Sequence, residues 1–202
     1  MIDMNDFYEV RNSIYCYPNS NVLKNKLDIM DATKLQKVET QLVLIKLYEL
    51  RQKGITGDFS PRHLIAIHLF IFGDLYPFAG KFRTENIAKD HFRFAEWEFI
   101  EEELNRLTRQ LQAEDYLAGL SKEDLAKRLA YYLSELNVLH PFREGNGRTI
   151  REFIRQLALR NGYLFNLTKI SAQDMLEASI ESIIDDSKLA KLIFECLDEI
   201  QN

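Results

Sequence analysis

The sequence predicts a mainly α-helical protein, a bundle of helices that carries one small β-hairpin. Apolar residues recur at helical spacing through most of the chain. Ser60–Pro61 and Ser121–Asp124 are typical helix starts, because serine caps a helix and proline suits its first turn. Only residues 82–94 change to the short alternation of a strand pair.

The length of 202 residues predicts one domain with a sizeable buried core. We divide residues 1–202 into a core at about 60–165, an N-terminal segment at 1–59 and C-terminal helices at 166–202. Helical spacing and stop signals predict helices at about 33–53, 61–73, 97–113, 122–139, 147–160, 171–184 and 187–199. Residues 23–27 are expected to form a short helical turn, and the hairpin to pair residues 82–87 with 92–94.

Composition argues against several classes of partner. A net charge of −5 and a pI of about 5.5 disfavour nucleic acid, since its binders usually carry a basic surface. No apolar run approaches the roughly 20 residues of a membrane span, and the first residues lack the apolar stretch of a signal peptide. Cys16 and Cys196 lie near opposite ends and predict free thiols. We therefore expect a cytoplasmic protein that binds neither nucleic acid nor membrane.

The segment at residues 139–151 combines groups that suit phosphate chemistry. It lies between two predicted helices and contains Gly145, Asn146 and Gly147. Glycines allow positive φ and close approach of a ligand, and a helix N-terminus offers unpaired amides to an anion. On the following helix, Arg148 and Arg151 lie on one face, opposite the apolar one, where they can clamp phosphate oxygens.

The same turn holds one acid and one base. A carboxylate such as Glu144 can bind a magnesium ion that bridges nucleotide phosphates. The imidazole of His140 can accept the proton of an attacking hydroxyl at neutral pH. Each feature alone has a structural explanation, as a helix end, a turn or a solvated face. Their combination in one short segment indicates in-line attack on phosphorus.

Residues 140–151 (HPFREGNGRTIR) match the motif HxFx(D/E)GNGRxxR at every defined position, and on this basis the chain resembles the Fic family. Residues 81–95 resemble the flap hairpin of that family. Residues 17–27 resemble the N-terminal segment of bacterial Fic toxins and Bartonella-type effectors. Residues 151–158 and 178–182 are most similar to toxins of the VbhT type, which have a separate antitoxin. The likeness extends over about residues 15–193.

The resemblance implies a Fic fold and transfer of AMP from Mg-ATP to a hydroxyl of Ser, Thr or Tyr in a target protein. His140 would be the general base, and Glu144 would bind Mg²⁺. Gly145, Asn146 and Gly147 would form the anion hole. The outer phosphates would be bound by Arg148 and by Arg151, with Arg151 at the γ-phosphate. One relative that transfers phosphate lacks the two glycines, so their presence here favours AMP.

The flap would bind the target protein as an added strand. Lys89 and Asp90, at its tip, are expected to contact nucleotide or target, and Gln156 to contact adenosine. His63 and His68 are expected to be packing or surface residues. Two alternatives stay open: a non-catalytic nucleotide-binding or interaction module, which the intact His140 disfavours, and an enzyme that removes AMP.

Regulation is inferred from a pattern that the chain lacks. Many Fic proteins carry an inhibitory helix with the pattern (S/T)xxxE(G/N), whose glutamate pairs with the second motif arginine. No Ser or Thr of this sequence begins that pattern, and Ser182 is the nearest match. We therefore expect the toxin of a toxin–antitoxin pair, in which a small antitoxin supplies a glutamate to Arg151. The protein would act in the bacterial cytoplasm, or in a host cell if it is part of a longer secreted effector.

Overall fold

The computed structural model describes residues 13–55, 57–89 and 92–200. Within them the chain is mainly helical, as predicted. The helices are α1 (Ala32–Lys53), α2 (Pro61–Phe72), α3 (Ile100–Ala113), α4 (Lys122–Leu139), α5 (Asn146–Arg160), α6 (Ala172–Glu181) and α7 (Ser187–Cys196). The strands are β1 (Ala88–Lys89), β2 (Phe92–Arg93), β3 (Tyr163–Phe165) and β4 (Leu197–Glu199).

Helix α4 is the centre of the core, with α5 and α7 packed against it. Its N-terminus is fixed by Ser121, whose hydroxyl accepts the Asp124 N–H. One face of α4 buries leucines at helical spacing, of which Leu129 and Leu133 are almost inaccessible to solvent. Because α5 packs against both α4 and α2, the link between α4 and α5 lies at the junction of three helices.

The N-terminal segment differs from its prediction at residues 23–27, which form an irregular turn. Leu23 pairs with Cys16 in an isolated antiparallel bridge. The buried Asn25 side chain accepts the N–H groups of Leu27 and Ile29 and donates to two carbonyls. A local side chain therefore replaces the helical hydrogen bonds. Further along the chain, the Asp31 side chain caps α1 by accepting the Lys34 N–H at 2.7 Å.

The flap is an antiparallel hairpin in which Ala88 faces Arg93 and Lys89 faces Phe92. The first strand was predicted in the wrong place: it lies at residues 88–89, which the sequence analysis had assigned to the turn, and not at residues 82–87. Backbone groups of the earlier residues bind elsewhere: the Arg83 N–H donates to Pro141 O at 2.9 Å, and the Thr84 N–H donates to the Tyr15 hydroxyl. Long-range partners therefore replaced the strand pairing that the local pattern predicted.

A second two-stranded antiparallel sheet was not predicted. Strand β3 follows Gly162 and pairs antiparallel with β4, which continues directly from α7. The sequence analysis had extended the last helix through the residues of β4. In the described part of the chain, no helix is both long enough and apolar enough to span a membrane.

Candidate functional site

The motif forms one tight turn between α4 and α5, and two residues with positive φ shape it. His140 ends α4 in the left-handed region, with φ 48° and ψ 61°. Gly145 precedes α5 with φ 79°. A Cβ at Gly145 would lie 2.3 Å from the Phe72 ring, so both conformation and packing require glycine.

Asn146 holds this turn closed with its side chain. Its Oδ1 accepts the Phe142 N–H at 2.8 Å, and its Nδ2 donates to Phe142 O at 2.7 Å. The Phe142 ring is fully buried and stacks on His68 at 3.8 Å between centroids. The Asn146 side chain therefore serves the turn, and a phosphate would meet backbone amides. The amides in the first turn of α5 have no intrahelical acceptor and can bind an anion.

The position and tautomer of the His140 ring follow from its neighbours. Its Nδ1 lies 3.0 Å from Asn137 O, and Phe94 of the flap stacks on the ring at 3.9 Å. A carbonyl oxygen can only accept, so Nδ1 carries the hydrogen and Nε2 is the basic nitrogen. The half-buried ring is therefore held between the end of α4 and the flap in the form that a general base requires.

Arg83, which the sequence analysis did not select, joins the flap to His140. It is almost fully buried and binds backbone carbonyls on both sides. Its Nε donates to His140 O and its Nη1 to Glu85 O, both at 2.8 Å. Its Nη2 donates to Ala95 O and to Leu139 O. One planar guanidinium thus fixes the base of the flap against the end of α4.

Glu144 and Arg148 belong to a largely buried charged group that also includes Glu39 of α1. Glu144 Oε1 accepts the Gly145 N–H at 2.8 Å and lies 3.1 Å from Arg148 Nη2. Arg148 Nη1 lies 2.5 Å from Glu39 Oε1. Burial disfavours the charge of Arg148, but the two carboxylates outweigh it and raise the pKa of that guanidinium. Sequence spacing gave no signal for Glu39, because α1 is distant in the chain.

His68, predicted to be a packing or surface residue, is a packing residue and supports the turn from α2. Its Nδ1 accepts the Gly80 N–H at 2.8 Å, so its Nε2–H donates to Glu144 O at 2.9 Å. Burial is the main cause that lowers the pKa of His68, to about 4. A neutral imidazole therefore joins α2, the start of the flap segment and the motif.

The remaining predicted site residues lie in different places. The Arg151 guanidinium lies near Gly147, where an added Cβ would be 3.1 Å from its Nη1. Lys89 lies in β1 of the flap, and Asp90 is outside the described residues.

Gln156 lies two turns along α5 from the motif's first arginine, and its side chain has protein partners. Its Oε1 is 2.9 Å from His63 Nε2, and its Nε2 donates to Glu152. The structure does not bring it into the motif turn.

The chemistry of Glu144 fits a magnesium ion bound together with a nucleotide. The residues that the structure describes contain no group of three or more His, Cys, Asp or Glu placed to hold a metal. Magnesium bound with phosphates needs only one or two protein carboxylates. A single acid beside a helix N-terminus is therefore a sufficient donor set.

Comparison with known proteins identifies the family. The Fic/DOC family model matches residues 58–158, and the chain belongs to this family. It is 43% identical over 182 residues to the protein adenylyltransferase VbhT of Bartonella schoenbuchensis, which covers 90% of this chain and 38% of that protein. It therefore spans well under half of VbhT. It is also 33% identical over 192 residues to a probable protein adenylyltransferase Fic of Salmonella typhimurium, with 95% of both chains covered.

Solved structures of similar fold include nucleotide complexes. BepC, a VirB-translocated effector of Bartonella tribocorum with bound AMPPNP, superposes with a TM-score of 0.87 at 25% identity, covering 93% of this chain and 97% of that one. An N-terminal Fic domain from Bartonella quintana with bound ADP gives 0.85 at 28% identity, covering 93% and 95%. The mainly helical Fic fold predicted from the sequence is thus confirmed.

The neutral state of His68 predicts a pH dependence of stability. Its pKa is 6.5 when unperturbed and about 4 in the folded chain, so the unfolded chain binds a proton first as pH falls. The stabilisation is complete at pH values above the unperturbed pKa, and it is lost as the pH falls toward the pKa of the folded chain. Between pH 7 and pH 5 this site alone lowers the free energy of unfolding by about 2 kcal/mol.

Urea unfolding of the parent and of His68→Gln at the two pH values measures this contribution. We expect the parent to lose about 2 kcal/mol more than the variant, because His63 and the carboxylates are common to both. Equal losses would show that His68 is not held neutral by the fold.

Proposed function

We propose that this chain is a protein adenylyltransferase, which transfers AMP from ATP to a Ser, Thr or Tyr hydroxyl of a target protein. The observation that carries the proposal is the motif turn, in which His140 ends α4 and Glu144 directly precedes the residue that caps α5. The relatives in Bartonella schoenbuchensis and Salmonella typhimurium are named as adenylyltransferases, and two structural relatives hold AMPPNP and ADP. The proposal extends these properties to this chain.

The reaction is a displacement at the α-phosphorus of ATP. The target hydroxyl oxygen forms a bond to this phosphorus, and the bond to the oxygen that bridges the α- and β-phosphates breaks. Pyrophosphate leaves with the electron pair, and Nε2 of His140 takes the hydroxyl proton. The hydrogen on Nδ1, bound to Asn137 O, keeps Nε2 basic for this step.

The phosphate chain would lie against the amides of Gly145, Asn146 and Gly147, with Arg151 at its outer end. Peptide N–H groups directed at an anion at a helix N-terminus stabilise the charge that develops on the phosphates. Glu144 would bind Mg²⁺, which neutralises phosphate charge when it is present. Arg148 would reach the outer phosphates only by leaving one of the two carboxylates that bind it.

The target segment would pair with the flap as an additional strand. Strands β1 and β2 are only two residues long each, and β2 leads directly to Phe94, which stacks on the His140 ring. A segment paired along this hairpin would therefore present its hydroxyl near His140. Lys89 remains our proposal for a contact to nucleotide or target. The same proposal for Asp90 concerns a residue outside the described part.

His140→Ala tests the enzyme proposal. We expect labelling of target proteins from α-³²P-ATP to fall by at least about 100-fold, because the general base is lost. ATP affinity should stay within about twofold, since the histidine acts on the hydroxyl. Label from γ-³²P-ATP should not be transferred by either protein.

Three outcomes would contradict this proposal. Absence of labelling by both proteins would favour the non-catalytic module. Loss of AMP from a modified target, without transfer to it, would favour the removing enzyme. Transfer of the γ-label would indicate a kinase-type reaction.

We further propose that the chain is a toxin restrained by a separate antitoxin whose glutamate binds Arg151. The lack of an inhibitory pattern in this sequence and its identity to VbhT support this proposal. It places the reaction in the bacterial cytoplasm, or in a host cell for a longer secreted protein. Purification of the tagged chain from its source organism should recover a small protein with the (S/T)xxxE(G/N) pattern. Full labelling activity with no such partner would contradict the toxin–antitoxin arrangement while leaving the enzyme proposal intact.

A further inference from the structure

We infer that Glu39, on α1 and far outside the motif, is a positioning residue that holds one side of Arg148 and so limits how far Arg148 competes with the metal–nucleotide complex for the Glu144 carboxylate. This inference rests on the proposed function. It assigns a part in the site to the N-terminal segment, which the family motif does not include. It also gives the first motif arginine a role in supporting the acid, and leaves the outer phosphates to Arg151.

The geometry of Arg148 leads to this assignment. Its two terminal nitrogens are directed to different carboxylates, Nη1 to Glu39 at 2.5 Å and Nη2 to Glu144 at 3.1 Å. The guanidinium also lies over the Phe72 ring, 4.8 Å from the centroid. Because the guanidinium is planar and rigid, these contacts fix its orientation. The side chains of Arg148, Glu39 and Glu144 are only 17%, 14% and 7% exposed.

Glu39 is itself held by a second group. The Tyr76 hydroxyl donates a hydrogen bond to Glu39 Oε2, while Oε1 faces Arg148. Tyr76 is almost fully buried, next to the α2 residues that support the motif turn. Both oxygens of Glu39 are therefore engaged, and the carboxylate is fixed from two directions.

The charges explain why a second acid is needed. One arginine between two carboxylates leaves a net charge of −1 in this group, which attracts a divalent cation. Without Glu39, the group would be neutral, and both nitrogens of Arg148 would turn to Glu144 or to a nearby phosphate. A buried charge that loses its partner seeks another one, since leaving it alone is costly. Glu39 therefore holds Nη1 of Arg148 away from Glu144, so that Arg148 contacts the Glu144 carboxylate through Nη2 alone.

Nucleotide affinity with and without magnesium tests the inference. The probe is AMPPNP, titrated by calorimetry into the full chain in Mg²⁺ or in EDTA. For Glu39→Gln we expect the Kd in Mg²⁺ to rise about tenfold, the lower range for groups that support a metal ligand. The Kd in EDTA should change less than about twofold, because the amides and Arg151 are intact. Glu39→Asp keeps the charge and should recover part of the Mg²⁺ effect.

Glu49→Gln is the matched control, because it removes a more exposed carboxylate from the same helix. It should leave both affinities unchanged. Tyr76→Phe keeps the Glu39 carboxylate but removes its donor, and should show a smaller loss confined to Mg²⁺. If Glu39→Gln does not fold, Glu39→Asp and Tyr76→Phe supply the comparison.

Three results would overturn the role of Glu39. Tighter nucleotide binding by Glu39→Gln would show that Glu39 competes with phosphate for Arg148 and acts as an inhibitory group. An equal loss in Mg²⁺ and EDTA, or no loss in either, would show a purely structural residue. Failure of the parent itself to bind AMPPNP would instead reject the proposed function.

Discussion

The hydrogen bonds between the Asn146 side chain and the Phe142 backbone are the constraint on which the site depends. The chain reverses between two helices that are both packed in the core, so the polar groups of the turn cannot reach bulk water. They need partners inside the protein. Asn146 supplies two of them, His68 supplies a third at Glu144 O, and the absence of a side chain at Gly145 lets the turn approach Phe72. The anion site follows from this packing, because the Phe142 backbone is satisfied by Asn146 while the amides in the first turn of α5 have no intrahelical acceptor.

Arg83 and Arg148 are both largely buried near this turn, and their positive charges are stabilised by different kinds of acceptor. Arg83 donates hydrogen bonds to backbone carbonyls, which have only partial charge, and these bonds join the flap to the end of α4. Arg148 binds two carboxylates and connects α1 to the motif. The hydrogen bonds of Arg83 fix the backbone at the end of α4, where His140 lies. The ion pairs of Arg148 determine the charge near Glu144. The motif thus depends on residues far away in the sequence for both its geometry and its electrostatics.

The parts of the structure that could be predicted were those set by local sequence. The limits of α4 followed from Ser121 and from the histidine–proline pair, and α5 followed from the glycines and its apolar face. The site residues of the motif are contiguous in the sequence. Their position in a turn between two helices could therefore be predicted. The family, and with it the fold, could be inferred from the same residues.

The parts that could not be predicted depend on long-range partners. The β3–β4 pair joins segments more than thirty residues apart, and each strand is only three residues long. The backbone of residues 82–87 is held by hydrogen bonds from the Arg83 N–H to Pro141 O and from the Thr84 N–H to the Tyr15 hydroxyl. The contacts of Glu39 and Arg83 likewise depend on how α1 and the flap pack, which no spacing in the sequence reveals. The contact of Gln156 with His63 also joins residues that are distant in the sequence, and a contact of Gln156 with adenosine stays a prediction.

The most direct test of the central claim is a crystal structure of the chain with Mg²⁺ and AMPPNP. The account predicts that the phosphates lie along the amides of residues 145–147, with the α-phosphorus facing Nε2 of His140. It would be contradicted by phosphates bound away from the α5 N-terminus, or by an α-phosphorus that the protein shields from the side of His140.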